Sequence, residues 1–166
     1  MKQETQFSLF QSLTSNRNLG LVTLAEVYRL ITTDPTLKEN AEKFRYFQAQ
    51  GFDDDADKIK RSKSLVFTPA AVFDGKRNGK NRVSYTQYSL VDIDKLEEGQ
   101  AERLVQLLKD DPYWLLAYIT LSGKGLRIIF RVEGVTDEQT YRKAFYQGND
   151  YYCRLFGITR FDDSVK

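Results

Sequence analysis

Apolar positions change their spacing along this chain, and the changes predict its elements. Gln6-Phe7-Ser8-Leu9-Phe10 alternates like a short strand, after which Leu24, Val27, Leu30 and Ile31 recur at helical spacing. Thr23 stands at the N-cap of that helix with Glu26 at the capping-box distance. Pro35 predicts the first turn of a second helix, running to Gly51 with Leu37, Ala41, Phe44 and Phe47 along one side. The charged segment from Asp53 to Lys63 fits either a helix or a loose connection. Residues 1–63 therefore read as a mostly helical lobe.

From Leu65 the pattern shortens. Leu65-Val66-Phe67 and Ala70-Ala71-Val72-Phe73 read as extended segments around Pro69, and a polar loop follows from Asp74 to Asn81. The segment Val83 to Asp94 ends as a strand, and residues 95–109 are helical with Leu96, Leu104, Leu107 and Leu108 apolar. Two strands, Trp114–Leu121 and Leu126–Val132, flank Ser122-Gly123-Lys124-Gly125; a helix spans Asp137 to Phe156, and Ile158–Asp162 opens a fourth strand. The order is β-α-β-β-α-β, the ferredoxin-like or RRM-like arrangement, with helices on one sheet face and the other face open. The expected fold class is α+β, with this βαββαβ core over residues 64–166.

Composition narrows the chemistry. None of the 166 residues is histidine, which removes imidazole bases, Ser-His and Cys-His pairs and imidazole metal ligands. A single cysteine, Cys153, can form neither an internal disulfide nor a zinc site, so any metal must sit among oxygen ligands, which suit Mg²⁺, Mn²⁺ or Ca²⁺. No apolar run approaches the ~18 residues of a membrane span, and the start lacks a signal-peptide core, so a cytoplasmic location is expected. The net charge of +2 hides a basic stretch: Lys58 to Arg82 holds eight basic residues and one acidic one.

Strand alternation sorts the remaining candidates. If Val91, Ile93, Leu126, Ile128 and Phe130 face the helices, then Asp92, Asp94, Arg127 and Asp162 point to the open face. Two carboxylates at i and i+2 on a strand can hold divalent cations that bridge substrate phosphates; a strand-end cap and a solvated surface residue are the plainer alternative. Ser122-Gly123-Lys124-Gly125 is a hairpin turn that could also approach a phosphate, and it lacks the glycine spacing of a P-loop. Lys76, Arg77, Lys80 and Arg82 form a basic cluster suited to nucleic-acid phosphates, or simply a solvated charged hairpin. Cys153 and Trp114 are expected in the core.

The run Tyr88 to Asp94, then Leu121-Ser122-Gly123-Lys124-Gly125-Leu126-Arg127-Ile128-Ile129-Phe130, then Phe161-Asp162, resembles the archaeo-eukaryotic primase and primase-polymerase superfamily. It resembles most closely the N-terminal domain of VirE-like (virulence-associated E) proteins, and Thr68-Pro69-Ala70-Ala71-Val72-Phe73 extends the likeness over residues 6–166. The resemblance implies a primase-palm core in which Asp92 and Asp94 bind Mg²⁺ or Mn²⁺, with Asp162 (or its rival Asp163) as a third acid. Ser122 and Lys124 would contact nucleotide phosphates; Arg127 stands where that superfamily usually has histidine, and it would contact the incoming nucleotide. It further implies a strand beyond Lys166 and a helicase-type ATPase domain after it, so this chain is expected to be a piece of a longer protein.

The expected function is thus a primase-polymerase-like domain of a mobile-element DNA replication protein, a nucleotidyltransferase binding metal-nucleotide and a DNA or RNA primer/template. The alternative is a catalytically degenerate nucleic-acid-binding or recruitment module of a VirE-like protein. Stacking of bases on the sheet is not expected, because Leu126, Ile128 and Arg131 occupy the positions where an RNA-recognition motif carries aromatics.

Overall fold

The computed structural model describes residues 4–159. Its elements make an α+β protein with five α-helices and three small antiparallel sheets. Packing divides the chain into two compact units, Met1–Ser84 and Tyr85–Lys166. The change of composition near residue 63 marks the passage from a helix to a strand inside the first unit.

The first unit is built on β1 (Phe7–Phe10), flanked by β2 (Asn18–Val22) and β3 (Val66–Thr68). Phe7 and Phe10 are fully buried; the Phe10 ring meets Phe73 edge-on at 6.0 Å, and Phe7 lies 6.1 Å from Phe67. The helices α1 (Leu24–Thr33), α2 (Pro35–Ala49) and α3 (Asp53–Ser62) follow β2. Thr23 and Glu26 close the capping box as expected, and Asp34 caps α2 with Pro35 at its first position. The lobe is less helical than the sequence pattern suggests, because β2 escapes it. The strand is short and carries a glycine at its centre, Gly20 at φ +117, which weakens its strand signal, and its Leu19 and Leu21 are exposed rather than part of the core. Near the end of the unit β4 (Ala71–Phe73) pairs with β5 (Arg82–Tyr85), whose last residue begins the second unit. Phe73 N–H donates to Ser8 Oγ at 2.8 Å, tying β4 to β1.

The second unit runs β6 (Tyr88–Ile93), α4 (Gln100–Leu107), β7 (Trp114–Ile119), β8 (Leu126–Arg131) and α5 (Glu138–Phe156). Its antiparallel sheet has the order β6-β8-β7, so the first and third strands are neighbours. Register sorts the side chains into rungs. Val91, Ile128 and Ala117 share one rung and Ile93, Leu126 and Ile119 the next. Val91, Ile93, Leu126, Ile128 and Phe130 pack with Leu96, Leu104 and Leu108 from the α4 region and with Tyr152 and Phe156 of α5. Burying each such side chain contributes about 1.5–3 kcal/mol. Asp137 and Gly157 cap α5 at its two ends.

Two expectations need correction here. The sheet face away from this core is not open: Leu90, Ile129 and Leu116 form a buried apolar rung on it. Trp114 is 37% exposed rather than a core residue, because an irregularity between Trp114 and Leu116 shifts the pairing at the start of edge strand β7. Cys153 is buried as expected. Of the expected fourth strand, Ile158 and Thr159 are described and lie in no strand, with Ile158 N–H donating to Cys153 O at the end of α5 at 3.0 Å; the rest lies outside the described residues. No helix among them is long and apolar enough to cross a membrane.

Candidate functional site

Asp92 and Arg127 are cross-strand partners on β6 and β8, and Tyr118 on β7 faces Arg127 in turn. The three polar side chains form one rung directly beside the apolar rung Leu90–Ile129–Leu116. The Arg127 Nη2 donates to Asp92 Oδ2 as an ion pair, and Nη1 donates to the Tyr118 hydroxyl at 3.4 Å. The Asp92 side chain is 4% exposed and that of Arg127 is 32% exposed. Burial opposes the guanidinium's charge, yet Tyr118 and Asp92 together hold its pKa above the ordinary value. Burial pushes the Tyr118 phenol up, against the pull of Arg127. Tyr118 was not singled out by sequence reasoning. The irregular start of β7 blurs the parity that would have placed it on the face of Asp92.

Asp94 lies just past the end of β6 and is exposed, and Lys95 follows it with φ +60. The 122–125 turn folds back onto this corner. Leu96 N–H donates to Lys124 O at 2.9 Å, and Thr120 N–H donates to Gly125 O at 2.9 Å. A Cβ on Gly125 would stand 2.5 Å from Thr120 Oγ1, 2.9 Å from Ile93 O and 3.1 Å from Asp94 Oδ1, so only glycine lets the strands approach this closely. Ser122 Oγ accepts from Lys124 N–H at 3.2 Å, and the Lys124 side chain is exposed. The structure thus brings Asp94, Ser122 and Lys124 to one corner of the second unit, and Asp92 with Arg127 to the adjoining rung. Asp162 and Asp163 lie outside the described residues.

The basic cluster belongs to the first unit. Residues 74–81 join β4 to β5 as an ordered loop: Asp74 N–H donates to Asn81 O at 2.8 Å, and Asn78 Oδ1 accepts from Lys80 and Asn81 N–H. Asn81 Nδ2 donates to Lys76 O at 3.1 Å. Lys76 and Lys80 project from this loop into solvent, while Arg77 and Arg82 are half-buried. The Arg77 guanidinium lies 6.0 Å above the Phe10 ring, and burial lowers its pKa.

A divalent cation needs several oxygen ligands at once. Among the described residues no group of three or more His, Cys, Asp or Glu is placed to hold one. The buried carboxylate of Asp92 carries the Arg127 guanidinium on its Oδ2, so a cation there would have to share the carboxylate with a fixed positive charge. Among the described residues these donors are too few to complete a shell for Mg²⁺ or Mn²⁺, and Asp162 and Asp163, expected to add to them, lie outside those residues.

Fold and site together define a two-unit α+β protein with a charged rung inside an antiparallel sheet and a separate basic hairpin. The chain belongs to the family described as BT4734-like, N-terminal domain, whose model matches residues 58–162. That finding corrects the resemblance to VirE-like proteins and the primase-polymerase superfamily. The match spans the Asp-x-Asp strand and the Ser-Gly-Lys-Gly turn on which the resemblance rested, and both are local devices that a strand end and a tight hairpin can produce in unrelated sheets. No curated protein and no solved structure matches the chain.

Proposed function

We propose that this domain binds single-stranded nucleic acid through its phosphates, as a non-catalytic module of a larger protein. The observation that carries the reading is the 74–82 hairpin, whose ordered backbone presents Lys76 and Lys80 to solvent with Arg77 and Arg82 beside them. Phosphate contacts position a strand without reading its sequence, and they need neither metal nor histidine. The finer reading of the second unit as a complete βαββαβ domain belongs with this proposal. It is supported by the β6-β8-β7 order and by the core that α4 and α5 share with one sheet face.

The test is binding of a fluorescein-labelled oligothymidylate, followed by anisotropy. Lys76→Glu with Lys80→Glu is expected to weaken binding at least about tenfold, and EDTA to leave wild-type binding unchanged. Equal affinity of the doubly substituted and wild-type chains would refute the assignment.

Nucleotidyl transfer with a Mg²⁺- or Mn²⁺-bound nucleotide is a second reading, favoured by the adjacency of Asp94 to the turn bearing Ser122 and Lys124. It requires metal-dependent extension of a primed template, with loss of extension in Asp94→Asn.

A further inference from the structure

We propose that Asp92, Arg127 and Tyr118 form a register lock: Asp92 is the fixed counter-ion of Arg127 rather than a ligand for a divalent cation. The inference stands apart from the hairpin reading and concerns the second unit alone.

Both faces of β6 and β8 are buried at Leu90, Val91, Ile93, Leu126, Ile128 and Ile129. An apolar pattern on both faces specifies strand register weakly, because a slip of two residues keeps every side chain on its own face and sets one aliphatic residue against another. The charges break that degeneracy. In the observed register Asp92 meets Arg127 and Leu90 meets Ile129. Sliding two residues one way would set Asp92 against Ile129 and Leu90 against Arg131. Arg127 would then recover a partner in Asp94, but the carboxylate of Asp92 would be left unmatched beside an aliphatic side chain. Sliding the other way would set Asp92 against Gly125 and Leu90 against Arg127. Each alternative strands a buried charge, the one arrangement a sheet interior does not tolerate. Tyr118 extends the selection to β7, since its hydroxyl reaches Arg127 only when Ala117 pairs with Ile128.

A metal site would make opposite demands. Ligand carboxylates repel one another until the ion arrives, so neutralising one of them relieves strain in the apo protein. In the lock, neutralising Asp92 takes the counter-charge from Arg127, and removing Arg127 takes the ion-pair partner from Asp92.

The test compares the wild-type chain with Asp92→Asn, Arg127→Gln and the double variant by thermal melts, each with and without MnCl₂. It is paired with the EPR signal of free Mn²⁺ titrated with wild-type protein. Arg127→Gln is expected to lower Tm by roughly 10 °C and Asp92→Asn to lower it also. The loss of Tm in the double variant should be well below the sum of the two single losses. Wild-type protein should leave both its own Tm and the free-Mn²⁺ signal unchanged. Uptake of Mn²⁺ by the wild type that Asp92→Asn abolishes would overturn the proposal, as would strictly additive losses in the double variant. If Arg127→Gln fails to fold, the wild-type Mn²⁺ titration decides by itself.

Discussion

Gly148 of α5 sits against the ring of Phe130 on β8, so close that a Cβ at 148 would fall well inside contact distance of ring carbons Cε2 and Cζ. A helix that bears on a sheet this tightly has no room for a side chain at the contact, and one turn further along α5 the Tyr152 ring also packs on Phe130, centroids 5.2 Å apart. Gly148→Ala should therefore destabilise the protein by about 1–3 kcal/mol through overpacking, although alanine is the better helix former. Urea melts check this, and Phe130→Leu in the same chain should recover part of the loss. A Gly148→Ala variant more stable than wild type would show that helix propensity outweighs the close approach.

The corner at Gly125 has a second contact of this kind. Gly125→Ala meets the backbone oxygen of Ile93 as well as Thr120 Oγ1, and a carbonyl cannot rotate away as a hydroxyl can. We expect a loss of about 1–3 kcal/mol, with amide shifts concentrated at Asp94, Leu96 and Lys124. Thr120→Ala should relieve only part of it.

Two helix caps contribute to the acid limb of stability. The Asp137 carboxylate accepts from Thr140 N–H and is held below its usual 3.8, and Glu26, bonded to Thr23, is held below its usual 4.5. A carboxylate whose pKa is depressed by folding stabilises the protein above its unfolded value, and that contribution is lost as pH falls through its folded value. Melting temperature should therefore decline below about pH 4. Asp137→Asn keeps a cap without a titrating group and should decline less steeply. Parallel curves for the two proteins would remove Asp137 from the account.

Cys153 offers a check on the core. Burial, with the charge of Asp150 adding to it, raises the thiol's pKa and so suppresses the reactive thiolate. Ellman's reagent should react with the native chain about 100-fold or more slowly than with the chain in guanidinium chloride. Fast reaction of the native protein would place α5 away from the sheet.

Much of this was legible in the sequence, and the exceptions share a cause. Thr23 with Glu26, Pro35 after Asp34, and the rows Val91–Ile93 and Leu126–Ile128–Phe130 speak through local spacing, and they form as expected. The pairing of Asp92 with Arg127 depends on register between strands far apart in the chain, so alternation alone could assign each residue a face but not a partner. The second face is expected to be open because the βαββαβ arrangement sets both helices on the other one; the buried rung of Leu90, Ile129 and Leu116 closes it, and no local spacing announces what a face packs against. β2 was hidden by Gly20, and the exposure of Trp114 by the irregular start of β7. The basic cluster was legible as composition; its ordered loop, closed by Asn78 and Asn81, was not.

The salt dependence of oligothymidylate binding tests the central claim most directly. Each phosphate neutralised on a single strand contributes about −0.7 to the slope of log K against log salt concentration. Removing Lys76 and Lys80 by substitution to glutamine should therefore flatten the slope by about 1.4, in EDTA and in Mg²⁺ alike. Binding whose slope is unchanged by those substitutions, or which appears only when Mg²⁺ or Mn²⁺ is present, would contradict a phosphate-binding hairpin.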